Sequence, residues 1–484
     1  MHKRFVFYIV SRIILITSLF MILPLLWALH DHPASSETYA FIASIVLGLI
    51  IASLGFWHLH MDEEDYSKMN PKDGLAAVGL AWICMSLLGS LPFFLSGVVA
   101  SFTDAVFEVV SGFTTTGASV IVDIESMPRG ILFWRSLTHW MGGMGIIVLY
   151  VAFLPAFGQN SVQMFQAEAS GLTIEKVAPR LRENAKNLWL IYLLFSLSGV
   201  IAFFAGGMSL FDSFCHTFGA IATGGFSTKN TNMMAFGAYH QWVAIVLMFM
   251  GGINFIVHYR AFTGKPLYYF KDEEFHWYSS IIILFTLFFS LFLFKEKLSV
   301  SPIRDSLFQV VSILTTTGYN SVDFDLWPNA LRFGLLILIF IGGCAGSTSG
   351  GLKVVRFLIG VKAVYQTVIQ AMFPNAIVKT RLNTISLPDK VIVAIGAYFV
   401  LTVIMIFFGV QLLTLFDGCD IVTGLSATMA SISAVGPGLN QVGPVLNYGW
   451  FSNPSKWVLI FLMLAGRLEF YSFLILFVPA IWKK

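Results

Sequence analysis

Three segments of the chain superimpose without gaps: 104–117 (DAVFEVVSGFTTTG), 212–225 (DSFCHTFGAIATGG) and 305–318 (DSLFQVVSILTTTG). In each, an aspartate stands 13 positions before a glycine, and a short apolar stretch leads into small hydroxyl or glycine residues. Such a stretch is too short to cross a bilayer, which takes about 20 apolar residues in a helix. Each copy lies between two long apolar runs, so the chain must enter the membrane and return on the same side, as a half-helix followed by a loop. A fourth copy, 423–436 (TGLSATMASISAVG), keeps the small-residue ending and has its aspartate displaced to Asp420. A unit that recurs in this way decides the architecture before any single residue is considered.

Composition agrees with a membrane as the solvent. The chain is 57% hydrophobic and 11% charged, where a soluble domain carries roughly 25% charged residues. Apolar runs at 5–29, 39–57, 75–98, 131–154, 188–205, 242–257, 277–294, 331–340, 391–416 and 457–481 give ten candidate spans. The run at 5–29 is too long for the apolar region of a signal peptide and lacks a small-residue cleavage site, so it reads as a span. With the N-terminus inside, 20 Lys and Arg fall on inner loops and eight on outer ones. That asymmetry puts both termini of a multi-pass protein on the cytoplasmic side, and the expected location, which rests on the resemblance given below, is the bacterial cytoplasmic (inner) membrane.

The expected fold class is an all-α integral membrane protein: four repeats of span, half-helix, loop and span around a central pore, preceded by two extra transmembrane helices. The units run 1–70 (two helices), 71–160, 161–264, 265–380 and 381–484 (the four repeats). The glycine pair Gly142-Gly143 recurs as Gly251-Gly252, Gly342-Gly343 and Gly466-Arg467 in the span after each loop. Four cysteines, Cys84, Cys215, Cys344 and Cys419, lie far apart and read as small core residues.

Irregular backbone at membrane depth is tolerated where it is buried in protein or lines a water-filled cavity. Four converging loops would line a pore. Asp104, Asp212 and Asp305 are expected to cap the half-helix N-termini, which leaves the negative C-terminal ends pointing into the membrane, where they favour a cation. Thr115-Thr116-Gly117, Thr223-Gly224-Gly225, Thr316-Thr317-Gly318 and Ala434-Val435-Gly436 then offer backbone carbonyls without bulk. Rings of such carbonyls replace the hydration shell in potassium-selective filters. The other reading, small residues that only permit close helix packing, suits one such sequence better than three aligned ones.

Below the third loop, Gly342, Gly343, Cys344, Ala345, Gly346, Ser347, Thr348, Ser349, Gly350 and Gly351 interrupt the apolar pattern. So glycine-rich a decapeptide is a poor helix and is expected to form an intramembrane loop that obstructs ions. Arg467 lies at the matching depth of the fourth repeat. An intramembrane charge is a functional candidate, expected here to act as an electrostatic barrier paired with Glu469, with a purely structural ion pair as the alternative.

The repeated TTTG loops, HWMGGMG at 139–145, GGCAGSTSGGLKVVR at 342–356 and GRLE at 466–469 together resemble the Trk/Ktr/HKT superfamily of cation transporters, most nearly its TrkH-type members. The resemblance covers almost the whole chain, including the two extra N-terminal helices. It implies that Gly117, Gly225, Gly318 and Gly436 coordinate potassium as the transported ion, with no cofactor on this chain, and that Gly117 in place of a serine favours potassium over sodium. It further implies that 342–351 is the gating loop and Arg467 the pore arginine. The expected partners are a second copy in a homodimer, membrane lipid and a cytoplasmic nucleotide-binding regulatory protein resembling TrkA; nucleic acid is not implied. The basic segments 176–186 and 353–390 are candidate docking sites for that regulator, or simply follow the positive-inside rule.

Two other readings compete. A secondary symporter coupling potassium to sodium or protons usually carries inverted repeats, whereas these repeats run parallel. An intramembrane serine hydrolase would need Ser347 or Ser349 as nucleophile with a histidine base, and no HExxH, GxGD or Walker pattern is present. His58, His60, Asp62, Glu63, Glu64 and Asp65 have metal-compatible side chains but fall in a short polar turn, which reads as a solvated loop.

Overall fold

The computed structural model describes residues 2–59, 71–153, 177–376, 378–383 and 385–479, with the side chains of 71, 146–153 and 177–184 left aside. The cluster His60 to Asp65, Lys176 and the two C-terminal lysines therefore lie outside the described residues.

Helices α1 (Lys3–Phe20) and α2 (Ile22–Asp31) together make one 29-residue apolar span, and α3 (Ser36–His58) returns beside it. Four units of one plan follow. The first has α4 (Pro71–Leu95), the half-helix α5 (Phe102–Phe113) and α6 (Arg129–Phe153). The second has α7 (Val177–Ala205), the half-helix α8 (Leu210–Ile221), and α9 (Ala238–Gly251) with α10 (Phe255–Phe262). In the third, α11 (Glu273–Lys295) and the half-helix α12 (Pro302–Leu314) lead to α13 (Asn329–Ile341), an irregular loop and α14 (Val354–Met372). The fourth has α15 (Asp389–Asp417), the half-helix α16 (Ile421–Ser433), and α17 (Asn453–Arg467) with α18 (Tyr471–Leu474). A two-residue antiparallel ladder, Arg381–Leu382 with Ile385–Ser386, joins α14 to α15.

Among the described residues, seven helices are long and apolar enough to cross a membrane, or nine if each of two bent pairs counts as one span. The ten expected spans need three corrections. The run 242–257 is not one helix: α9 and α10 meet at 96°, because Asn254 turns the chain and caps α10 by accepting from Ile256 N at 2.9 Å. The run 457–481 breaks after Arg467, where the chain turns through 118° over Glu469 and Phe470, both left-handed at φ 55°. The run 331–340 becomes the 13-residue α13, too short to cross alone, while α14, expected as a basic cytoplasmic segment, is itself apolar and long enough to span. Hydropathy does not register such breaks because apolar residues flank each of them.

The surface inverts that of a soluble protein. Phe407 and Leu291 are about three-quarters exposed on α15 and α11, whereas Thr115, Thr116, Thr316 and Thr317 are fully buried. The core is thus built around the half-helix ends. The recurrent glycines admit the third helix of a unit to those ends: a Cβ on Gly142 would overlap Phe113 O, one on Gly466 would overlap Ile432 O, and one on Gly251 would lie 2.8 Å from Ile221 O.

Candidate functional site: a ring of four loops above an intramembrane loop

The half-helices begin with serine caps in two units. Ser101 Oγ accepts from Asp104 N, and Ser209 Oγ from Asp212 N, each at 3.0 Å. Asp104 and Asp212 therefore stand three residues inside the cap, and Asp305 stands four residues after Ser301, which opens its half-helix without a side-chain cap; all three are corrected from their expected role as caps. A carboxylate in the first turn still favours the positive end of the helix. Asp104 pairs with Lys456 at 2.6 Å, Asp212 accepts from Thr228 Oγ1 at 2.6 Å, and Asp305 accepts from Ser299 Oγ at 2.5 Å. In the fourth unit the carboxylate is the cap itself: Asp420 Oδ2 accepts from Thr423 N at 3.1 Å. Asp420 stands 16 residues before its glycine, as Ser101 and Ser209 do, so the copy that looked degenerate keeps the register.

All four half-helices end alike. Thr115 N donates to Gly112 O and Thr116 N to Ser111 O, and the same two bonds recur from Thr223 and Gly224, Thr316 and Thr317, and Ala434 and Val435. This pair closes a helix whose next residue turns left-handed, a place usually taken by glycine. Here Thr115, Thr223, Thr316 and Ala434 take it, at φ 54, 53, 57 and 56°, a conformation costing roughly 1–2 kcal/mol in a residue with a Cβ. Two bonds per end, about 1 kcal/mol each, offset that cost. Two positions on, Gly117, Gly225, Gly318 and Gly436 are left-handed again, at 82, 81, 76 and 95°. Alternating hand along the strand turns successive carbonyls toward one side.

These strands form a closed ring. A Cβ on Gly117 would overlap Gly224 O, one on Gly225 would overlap Thr317 O, one on Gly318 would overlap Val435 O, and one on Gly436 would come within 2.6 Å of Thr116 O. Each glycine thus lies against the strand of the next unit, and the fourth returns to the first. The four glycines also line one open cavity, shared with Asn232 and Tyr448. The structure brings all twelve predicted filter residues together.

Buried polar groups tie the units from behind. Arg135 Nε lies 2.5 Å from Glu108 Oε1, its NH1 donates to Ser227 O at 2.9 Å, and its guanidinium sits 3.5 Å from the centroid of the Phe226 ring. Glu108 also accepts from Val120 N at 3.0 Å. Tyr319 OH donates to Phe226 O at 3.1 Å and Tyr448 OH to Gly436 O at 2.7 Å. Sequence reasoning missed the Arg135–Glu108 pair, although a signal was present: Arg135 lies inside an apolar run, as Arg467 does.

The loop 342–351 packs beneath the ring and touches the second, third and fourth units. The break after α9 frees the carbonyls that hold it: Cys344 N donates to Gly252 O at 3.0 Å and Thr348 N to Gly251 O at 3.2 Å. Thr348 Oγ1 bonds Ile221 O at 2.9 Å, Gly350 N donates to Thr316 Oγ1 at 2.6 Å, and a Cβ on Gly350 would overlap Ser433 O. From below, Glu274 Oε1 accepts from Ala345 N at 2.8 Å and Val355 N at 3.1 Å, a role the sequence did not disclose. Lys353 Nζ donates to Ser349 O.

Arg467 reaches the loop as expected, with a different partner. Its NH1 donates to Thr348 O at 2.8 Å and its NH2 to Gly142 O at 3.4 Å. Glu469 instead pairs with Arg356 at 2.6 Å, because the left-handed turn after Arg467 carries Glu469 away from it. The guanidinium therefore links the first, third and fourth units through carbonyls. All four cysteines are free, and among the described residues no group of three or more metal-type side chains gathers.

Residues 39–484 match the model of the family TrkH, cation transport protein. The Trk system potassium uptake protein TrkH of Halomonas elongata is 34% identical over 492 residues, covering all of both chains. Its namesakes from Vibrio parahaemolyticus and Escherichia coli K12 are 36% and 35% identical, again over the full length of both. The crystal structure of the potassium transporter TrkH from Vibrio parahaemolyticus superimposes with a TM-score of 0.90 at 35% identity, covering 100% of each chain.

Proposed function

The chain belongs to the TrkH family of cation transport proteins, and from that premise we propose that it takes up potassium across the cytoplasmic membrane through a gated, potassium-selective pore. The observation that carries this reading is the closed ring, in which each filter glycine lies against the next unit's carbonyl. Each half-helix aims its C-terminal end, worth about half a negative elementary charge, at that ring. Potassium enters from the outer cavity, exchanges its water for the carbonyls of Thr115-Thr116-Gly117 and their three counterparts, and meets the loop 342–351 below. The membrane potential drives it, at about 2.3 kcal/mol per charge per 100 mV.

Passage requires the loop to move. Arg467 holds Thr348 O and sets a positive charge in the path, so it acts both as a latch and as a barrier. A homodimer and a cytoplasmic nucleotide-binding regulator resembling TrkA complete the proposed assembly. The coupled-symporter reading gains no specific support, since all four half-helices present the same end to one ring. The hydrolase reading is set aside with membership in a transport family.

Replacing Gly117 with serine tests the filter. The potassium-to-sodium flux ratio in proteoliposomes should fall roughly tenfold, equivalent to about 1.4 kcal/mol; an unchanged ratio contradicts the filter assignment.

A further inference from the structure

The four filter strands are not braced alike. In the first and third units, the residue before the filter glycine is tied back to the helix cap by a hydroxyl pair: Thr116 Oγ1 lies 2.8 Å from Thr114 Oγ1, and Thr317 Oγ1 lies 2.8 Å from Thr315 Oγ1. The second unit has Ala222 and Gly224 at these positions and no hydroxyl to use. An imidazole stands there instead. A Cβ on Gly224 would overlap the ring of His139, which α6 delivers from the first unit. The equivalent positions of the other three third helices hold Met248, Ile339 and Met463.

His139 is fully buried, and both its nitrogens meet backbone. Nδ1 is 2.7 Å from Gly112 O, and Nε2 is 3.2 Å from Phe226 N. A carbonyl only accepts and an amide only donates, so the ring is neutral, with its proton on Nδ1. It also stacks on Phe226, with centroids 4.1 Å apart. The amide of Phe226 and the carbonyl of Gly225 belong to one trans peptide, in which N–H and C=O point in opposite directions. Holding the amide from behind therefore aims the Gly225 carbonyl at the cavity.

We propose that His139 is a specificity-determining positioning residue: its imidazole replaces the threonine pair of the first and third units, fixes the Gly225 carbonyl toward the ion path, and requires glycine at 224. The inference rests on reading the ring as a potassium filter.

The test uses the full chain in proteoliposomes, with potassium and sodium fluxes measured for His139→Leu, His139→Gln, Gly224→Ala and the double variant His139→Ala with Gly224→Ala. Leucine removes both bonds, so the potassium-to-sodium ratio should fall about tenfold, the size of one lost buried hydrogen bond. Glutamine can donate to Gly112 O and accept from Phe226 N, and should keep the ratio within about threefold of the parent. Gly224→Ala should lose discrimination, and adding His139→Ala should restore part of it. A role confined to structure would lower both fluxes in proportion and leave the ratio alone.

An unchanged ratio in His139→Leu, a glutamine variant no better than leucine, or a double variant no better than Gly224→Ala overturns the proposal. Should Gly224→Ala fail to assemble, the leucine and glutamine variants decide the matter by themselves. Gly117→Ser is measured alongside. If it loses discrimination while His139→Leu keeps it, this inference alone fails; if neither changes, the filter reading fails with it.

Discussion

Each filter strand is closed by two bonds to the half-helix it directly follows, whereas the loop 342–351 is held by groups distant in sequence: Gly251 and Gly252 of the second unit, Arg467 of the fourth, and Thr316 and Glu274 of its own. Both are irregular, glycine-bearing backbone with left-handed residues, buried in the middle of the molecule. The difference lies in connectivity. A filter strand cannot shift without unwinding its half-helix, while the loop is released whenever its neighbours move relative to one another. Backbone chemistry of one kind thus gives a locally closed ring and a loop that depends on its neighbours, according to where its hydrogen bonds end.

The sharpest way to break this contrast is to attack the ring. Gly225→Ala adds a Cβ at φ 81° that overlaps Thr317 O, and potassium uptake in a transport-deficient host should fall by about a hundredfold, equivalent to roughly 3 kcal/mol; near-normal growth at low potassium would mean that the ring is pliable. The loop should respond in the opposite sense. Deleting residues 346–350, or making Arg467→Ala, is expected to raise basal flux about tenfold, because each removes buried bonds worth about 1–3 kcal/mol. Parental flux in both would put the gate elsewhere. Glu274→Ala, which strips the shared acceptor from the loop amide of Ala345 and from Val355 N at the start of α14, should raise basal flux by about fivefold without altering ion ratios, and a changed ratio would show that loop and ring are coupled. The smallest effect is expected at Asp420→Ala, which loses a helix cap worth about 1 kcal/mol: a slightly lower melting temperature with selectivity intact.

What could be read from the sequence follows the range of the interaction. The geometry of the four strands was legible because their bonds are local and repeated, so Thr115, Thr223, Thr316 and Ala434 share one spacing from their glycines. The caps were misassigned because an acidic residue inside the first turn and one at the cap give similar signals in a single copy. Only the common register of Ser101, Ser209 and Asp420 separates them. The breaks after Gly251 and Arg467 are hidden in apolar sequence. Glu469 was matched to its neighbour Arg467, while its true partner Arg356 comes from another unit, a pairing that no local pattern encodes. His139 stood in plain view within HWMGGMG, yet its role depends on a missing side chain at Gly224, more than 80 residues away.

The most direct test of the central claim is the reversal potential of the full chain reconstituted in planar bilayers, with potassium, sodium and proton gradients varied independently. A ring that strips water from potassium and passes it down the membrane potential predicts a reversal potential that follows the potassium gradient alone. One that moves with the sodium or proton gradient at fixed potassium would contradict the selective pore and restore the coupled transporter.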